Sequence, residues 1–204
     1  MALPQEEAIA PFTVAKAATP LALHFRSTWL TSSIRALRER GLVDRYLAAL
    51  PTRHHESVHN SFAGVWLDVE VAMAHYRACD SLGLARSEQI AIGREVTTIA
   101  HRTSYALALR LAKGAGVTPW TCFAIQKRLW LQVWRGGDVA TFKVGPKEAR
   151  VEIAGWPCSA IAYPRYAMNG VLIGQTELFC SKAYVSEIAS LCTATSLGYR
   201  ISWA

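Results

Sequence analysis

The sequence predicts an α+β fold, with an N-terminal helical layer followed by a β-hairpin–helix–β-hairpin unit that carries a small antiparallel sheet. Two changes of pattern support this fold class. Apolar residues recur at helical spacing as far as Arg135, and the period then becomes two, where Val139, Thr141 and Lys143 alternate with their neighbours. A second alternating stretch ends at Trp203. We expect an extended lead-in over 1–20 and a single domain over 21–204, with a helical part at 21–136 and a sheet-bearing part at 137–204.

Helices are predicted before the sheet from apolar spacing and from residues that start or end helices. Thr118 is an N-cap residue and Pro119 suits the first helical position, so a helix should begin there. Gly41 and Gly83 stand just past the ends of two others. The predicted helices cover 21–40, 42–50, 66–82, 88–113 and 118–135.

The C-terminal third predicts two hairpins separated by a helix. Gly145-Pro146 forms a turn between the first two strands, and Pro164 suits the start of the helix. Gly170 and Gly174 lie four residues apart, so one face of that helix is nearly bare and should pack closely against the sheet. The strands are predicted at 139–144, 149–153, 185–193 and 197–203, and the helix at 164–181.

Composition indicates a folded globular protein and argues against several kinds of partner. Hydrophobic residues make up 51% of the 204 residues and charged residues 18%, a balance typical of a packed core. The net charge is +7, but the basic residues are spread along the chain without interleaved aromatics, so nucleic acid is not expected as a partner. No apolar run is long enough to cross a membrane, and the N-terminus lacks the pattern of a signal peptide. We therefore expect a cytoplasmic protein with its five cysteines reduced.

One motif has the spacing of a zinc site. His55-Glu56-Ser57-Val58-His59 fits H-E-x-x-H, which on a helix places two imidazoles on one face and a glutamate as general base between them. The residues around it are polar, whereas metalloprotease helices of this type are mostly apolar, and no further ligand follows at the usual distance. A chance match on a solvated segment is the favoured interpretation, so no metal is expected. A metal site formed by His55, Glu56 and His59 is the alternative.

Aromatic residues are the most informative remaining group. Three tryptophans fall within fifteen residues of the last helix before the sheet, and further rings precede the C-terminal helix. If the two helices face each other across the sheet, these rings form either an aromatic core or the wall of a mostly apolar ligand pocket. His101 is either a buried core histidine or a polar anchor or ligand in that pocket. The candidate ligand-binding residues are Trp120, Phe123, Trp130, Trp134, Tyr163, Tyr166 and His101.

Several short stretches carry a resemblance to known proteins, namely Phe25–Leu30, Val65–Asp68, Ile92–Arg94, Trp134–Asp138 and Tyr199–Trp203. Through them the whole chain resembles a family of uncharacterised proteins of similar length that is abundant in myxobacteria. The order of elements is also similar to ligand-binding domains of the 4-vinyl-reductase type, which belong to a wider structural group with TRAPP vesicle-tethering subunits and haem nitric-oxide sensor domains. The Tyr-x-Ser-x-Arg motif that the haem sensors use for the haem propionates has no match in this chain.

The resemblance implies a sensory or adaptor role with a cavity between the helical layer and the sheet, and it identifies neither ligand nor cofactor. We predict a non-enzymatic protein that binds a small hydrophobic or aromatic molecule. Relatives of this fold often form homodimers, so a homodimer through the last strand or the N-terminal helices is expected. Two alternatives stay open. One is an enzyme acting on a small substrate, through the metal site above or the aromatic pocket, and the other is a module that binds only proteins.

Overall fold

A computed structural model describes residues 6–59, 64–100 and 118–204, and it confirms the α+β class. In the first half of the chain, two helices begin later than predicted. Residues 24–26 and 66–68 are strands rather than the first turns of the helices at 21–40 and 66–82, because the two segments hydrogen-bond to each other. A strand of three residues is too short to be recognised from the alternation of apolar and polar residues. The elements are β1 (Glu7–Ala10), β2 (His24–Arg26), α1 (Ser27–Arg38), α2 (Val43–Ala49), α3 (His55–His59), β3 (Trp66–Asp68), α4 (Val69–Asp80) and α5 (Arg86–Ala100).

The second half follows the predicted order, with one helix divided. The helix expected at 118–135 is two helices, because the chain leaves helical geometry at Ile125 (φ −104°, ψ 5°) and becomes extended at Trp134. The third of the four predicted strands covers Ala183–Glu187 and is therefore shorter than the predicted 185–193. The elements are α6 (Pro119–Ala124), α7 (Gln126–Val133), β4 (Trp134–Arg135), β5 (Asp138–Gly145), β6 (Glu148–Ala154), α8 (Ala162–Thr176), β7 (Ala183–Glu187) and β8 (Ser196–Trp203).

The strands form two antiparallel sheets. The main sheet has five strands in the order β1-β5-β6-β8-β7, so β1, which lies within the expected lead-in, is an edge strand. The small sheet has the order β3-β2-β4, with Phe25 opposite Leu67 on one side and Trp134 on the other. The small sheet thereby joins the start of α1 to the end of α7.

The segment after β1 is held against the main sheet by two buried acidic side chains. The Asp138 carboxylate accepts a hydrogen bond from the Thr13 amide at 2.6 Å. Glu152 forms an ion pair with Lys16 at 2.6 Å. Because a buried charge is stable only when it is paired, these contacts fix the lead-in on the sheet.

Glycine allows α5 and α8 to touch backbone to backbone. A Cβ atom at Gly93 would lie 1.9 Å from the Ala167 carbonyl oxygen, and one at Gly170 would lie 1.9 Å from the Ile90 carbonyl oxygen. The bare face of α8 therefore meets α5, and the expectation that it packs against the sheet is wrong. Other residues of α8 hydrogen-bond to β7 and β8, so this helix lies between α5 and the sheet.

A continuous cluster of buried apolar side chains joins the helices to the main sheet, with Tyr46, Trp156 and Tyr199 among its largest members. The sheet contributes β-branched and aromatic residues from β6 and β8, and the helices contribute alanines together with large side chains such as Tyr46. Within 6–59, 64–100 and 118–204, no helix has the length and apolar character needed to cross a bilayer.

Candidate functional site

A cavity of about 240 Å³ lies among α1, α4, α5, α7 and α8. Helices α5 and α8, which are fixed to each other by their glycines, supply apolar lining through Val96 and Val171. The lining also includes the exposed side chain of Gln132 and the half-buried side chain of Arg26. The cavity therefore extends from the aromatic core towards the protein surface.

Three tryptophans form one wall of this cavity. The rings of Trp130 and Trp134 stack with centroids 5.7 Å apart and planes inclined by 23°. Trp156 meets both rings edge-on, at 5.6 Å from Trp134 and 6.1 Å from Trp130. Phe25 stacks on Trp134 at 5.6 Å. These are favoured geometries for aromatic pairs, so the rings support one another and the wall has a defined shape.

Two tyrosines extend the wall from α4 and α8. The Tyr76 ring lies 6.4 Å from the Trp156 ring and 6.3 Å from the Tyr163 ring. Burial raises the pKa of both phenols well above the ordinary value, so both are uncharged near neutral pH. Tyr163 is fully buried, whereas Tyr76 is only half-buried and lines the cavity.

A buried chain of hydrogen bonds lies behind the cavity. Nδ1 of His75 is 2.9 Å from the Tyr46 hydroxyl, and Nε2 is 3.0 Å from the hydroxyl of Ser33, which lines the cavity. Burial lowers the pKa of His75 to about 3, so the imidazole is neutral and has one donor and one acceptor nitrogen. Both nitrogens are already used. His75 therefore positions Ser33 and is not available to bind a ligand or a metal.

Two glutamines add neutral polar groups to the lining. The Nε2 amide of Gln126 donates to Oε1 of Gln175 at 3.3 Å, and both side chains are buried. Oε1 of Gln126 has no hydrogen-bond partner among the described residues. Across the part of the lining that the structure describes, Arg26 is the only charged side chain. The cavity is thus apolar and aromatic, with neutral hydrogen-bonding groups.

The candidate residues from the sequence occupy different places. Trp130, Trp134 and Tyr163 all line the cavity. Trp120 and Phe123 instead form a second aromatic group with Trp203, with ring centroids 4.9 to 5.8 Å apart. Tyr166 is outside the cavity lining and stacks against the guanidinium of Arg86 at 4.8 Å. His101 lies outside the described residues. That any of these residues binds a ligand stays a prediction.

The separation of the two aromatic groups follows from the break at Ile125. In a continuous helix Trp120, Phe123, Trp130 and Trp134 would share a stripe, but the break turns α6 towards the end of β8 and leaves α7 facing Trp156. Tyr76 and Ser33 also line the cavity, and neither was among the predicted ligand-binding residues. Their signal, a place on an apolar helix stripe, is the same as that of an ordinary core residue.

The H-E-x-x-H motif lies on the short helix α3. Nε2 of His55 is hydrogen-bonded to the Leu50 carbonyl oxygen at 2.9 Å, so only Nδ1 of this ring remains for a metal. Over 6–59, 64–100 and 118–204, no cluster of three or more His, Cys, Asp or Glu side chains could hold a metal ion.

No protein-family model matches the chain, and no curated protein matches it in sequence. Its fold is similar to that of solved H-NOX structures. An unliganded Fe(II) H-NOX protein mutant from K. algicida has a TM-score of 0.64 at 9% identity, covering 88% of this chain and 96% of that one. An oxygen-binding H-NOX domain related to soluble guanylate cyclases has a TM-score of 0.58 at 13% identity, covering 87% and 94%. A mutant of T. tengcongensis H-NOX has a TM-score of 0.60 at 13% identity, covering 87% and 96%.

At these identities the similarity shows a shared fold. It supports the haem-sensor part of the resemblance, at the level of fold. The alignments cover nearly the whole of each H-NOX domain, so both the helical part and the sheet-bearing part of this chain belong to the shared architecture.

Proposed function

We propose that this chain is a sensory or adaptor domain that binds a small, largely apolar aromatic molecule in the cavity walled by Trp130, Trp134 and Trp156. The observation that supports it is the wall itself, in which stacked and edge-on rings surround open space rather than a filled core. Ligand sites in proteins are mostly apolar with a few polar groups, and this lining has that character. The fold supports the proposal because several structures of the same architecture are H-NOX proteins, one of them described as oxygen-binding.

The size of the cavity limits the ligand. Sites for drug-sized molecules occupy roughly 300–1,000 Å³. A cavity of about 240 Å³ is below that range, so the ligand should be a compact molecule with one ring or two fused rings. A flat ring fits the wall, because its face or edge can pack against the tryptophans in the same geometries that they use with one another.

A haem does not fit the described residues. The H-NOX structures include studies of haem distortion, but a porphyrin is at least as large as a typical drug-sized ligand, and the cavity is smaller than such a ligand needs. Haem iron is usually held by histidine, cysteine, methionine or tyrosine. Among the described lining residues there is no histidine or cysteine, Met168 is a type of ligand that haem proteins pair with histidine, and burial keeps Tyr76 and Tyr163 protonated. His101 lies outside the described residues, so this comparison concerns the described lining alone.

The first test is native mass spectrometry of freshly purified protein together with its absorption spectrum. The proposal expects a bound organic molecule, or binding from a library of small aromatic compounds that raises the melting temperature. The same spectra give the mass of the assembly, which tests the expected homodimer. A strong visible haem band would contradict the proposal. So would a protein that carries no small molecule and binds none of the library.

A cavity-filling variant makes the test specific. Met168 is half-buried in the lining, so Met168→Trp places an indole in the open space without changing the backbone. We expect this variant to fold and to lose ligand binding. Trp120→Phe is the matched control, because it changes a tryptophan of the second aromatic group, away from the cavity. Equal binding by Met168→Trp and the wild type would place the ligand elsewhere.

A further inference from the structure

The charge of the lining indicates a neutral ligand. Arg26 is the only charged side chain among the described lining residues. Its guanidinium is already engaged, because it donates to the Gly64 carbonyl oxygen at 2.5 Å and lies 4.3 Å from the centre of the Trp66 ring. The described residues of the inner surface therefore include no group that is free to neutralise a charged ligand. An unpaired charge in such surroundings is strongly unfavourable.

Tyr76 is the polar group of the inner lining that is best placed to recognise a ligand. Its side chain is half-buried and lines the cavity, and the described residues offer its hydroxyl no hydrogen-bond partner. A phenol can donate one hydrogen bond and accept others. Because burial raises the pKa of Tyr76, the proton stays on the oxygen, and the group is available as a donor.

Neighbouring polar groups are less available. The Ser33 hydroxyl is bonded to His75 at 3.0 Å. Nε1 of Trp156 and the Tyr163 hydroxyl form no hydrogen bond of normal geometry with the described residues, but both atoms are sealed from solvent and from the open space. Tyr76 differs from them because its hydroxyl has no hydrogen-bond partner among the described residues and its side chain lines the cavity.

We infer, on the basis of the proposed function, that Tyr76 determines the specificity of the cavity for neutral aromatic carbonyl compounds. The ligand ring packs against the tryptophan wall, and its carbonyl oxygen accepts a hydrogen bond from the Tyr76 hydroxyl. The aromatic contacts provide shape selection, and the hydrogen bond distinguishes a carbonyl compound from a hydrocarbon of the same shape.

Two isosteric probes test this inference. Acetophenone and α-methylstyrene have nearly the same shape, and differ in a carbonyl oxygen that is replaced by a methylene group. Calorimetric binding of both probes is measured with the wild type, with Tyr76→Phe, and with Tyr166→Phe as the matched control outside the cavity. Loss of one neutral hydrogen bond should weaken acetophenone binding to Tyr76→Phe by about tenfold and leave α-methylstyrene unchanged. Tyr166→Phe should bind both probes as the wild type does.

The alternative results are informative in different ways. Equal weakening of both probes, or of neither, in Tyr76→Phe would overturn the role of the hydroxyl while leaving the cavity as a ligand site. Benzoate is the third probe. Tighter binding of benzoate than of acetophenone would overturn the inference of a neutral ligand and indicate a carboxylate bound by Arg26. If the wild type binds none of the three, both this inference and the choice of a compact aromatic ligand fail. Unchanged melting temperature of Tyr76→Phe confirms that folding is not the cause of any difference.

Discussion

Replacing Gly170 by alanine should destabilise the protein, although the same change inside a helix ordinarily stabilises it. Alanine in place of glycine favours a helix by about 0.8–1.0 kcal/mol, because glycine loses more backbone freedom on folding. At Gly170 the new Cβ atom would lie 1.9 Å from the Ile90 carbonyl oxygen and 2.8 Å from the Arg94 amide nitrogen. Carbon atoms pack at roughly 3.5–4.0 Å, so α5 and α8 would have to separate by more than about 1 Å.

Separation of two backbones is costly because every contact along the helix pair is weakened. A radial gap of about 1 Å forfeits a quarter to a half of each dispersion contact, and overpacking of a core usually costs about 1–3 kcal/mol or more. The upper end of that cost applies here because the new Cβ atom meets backbone, so after the helix-propensity gain is subtracted we expect Gly170→Ala to lower the free energy of unfolding by about 2 kcal/mol. For a domain of this size that corresponds to a fall in melting temperature of about 4–8 °C.

Denaturant unfolding and calorimetry of Gly170→Ala and Gly174→Ala provide the comparison. A Cβ at Gly174 would meet the Thr97 Cβ at 3.3 Å, a tight contact with a side chain rather than a clash with backbone. We expect Gly174→Ala to change stability by less than about 1 kcal/mol, because the helix gain and the crowding offset each other. If Gly170→Ala were as stable as the wild type, or more stable, the backbone contact between α5 and α8 would not exist in solution.

Three further predictions concern titration, ion pairing and thiol reactivity. Because burial lowers the pKa of His75 to about 3, the unfolded chain takes up a proton below pH 6.5 that the folded chain does not, and stability is lost as pH falls. Between pH 7 and pH 5 this should cost about 2 kcal/mol, measured by denaturant unfolding, and His75→Gln should abolish that part of the slope. Lys16→Met and Glu152→Gln should show a coupling of roughly 1 kcal/mol in a double-mutant cycle, and no coupling would mean that the lead-in is not held by this pair. A thiol reagent should modify the native protein only at Cys180 and Cys192 and modify all five cysteines after unfolding, with fast modification of a buried cysteine as the contrary result.

The sheet-bearing unit was predictable because its signals are local. Alternation over 139–144 and the turn at Gly145-Pro146 define the first hairpin without reference to the rest of the chain, and the structure has strands there. The helix start at Thr118-Pro119 was also correct, since proline at the first helical position is a local signal, although the Thr118 side chain forms no capping hydrogen bond. The short strands β2, β3 and β4 were missed because each is stabilised by pairing with residues far away in the sequence.

The cavity was predictable only in part, for the same reason. A high density of tryptophans indicates a site or a core, and both Trp130 and Trp134 line the cavity. The break at Ile125 and the contact of Trp156, which is distant in the sequence, decide which aromatic rings pack together. The packing partner of Gly170 could not be predicted either, because a helix face without side chains can pack against a sheet or against another helix.

The close contact of α5 and α8 also gives the cavity a fixed shape, which is the basis of the shape selection that we propose. Both helices line the cavity, and neither can move towards the other because their backbones already touch at Gly93 and Gly170. The stacked pair Trp130 and Trp134 limits the opposite side. A preformed site of this kind binds without the entropic cost of ordering its walls, and it selects by shape. In the proposed site, Met168 is the lining residue whose flexible side chain can adjust to a ligand.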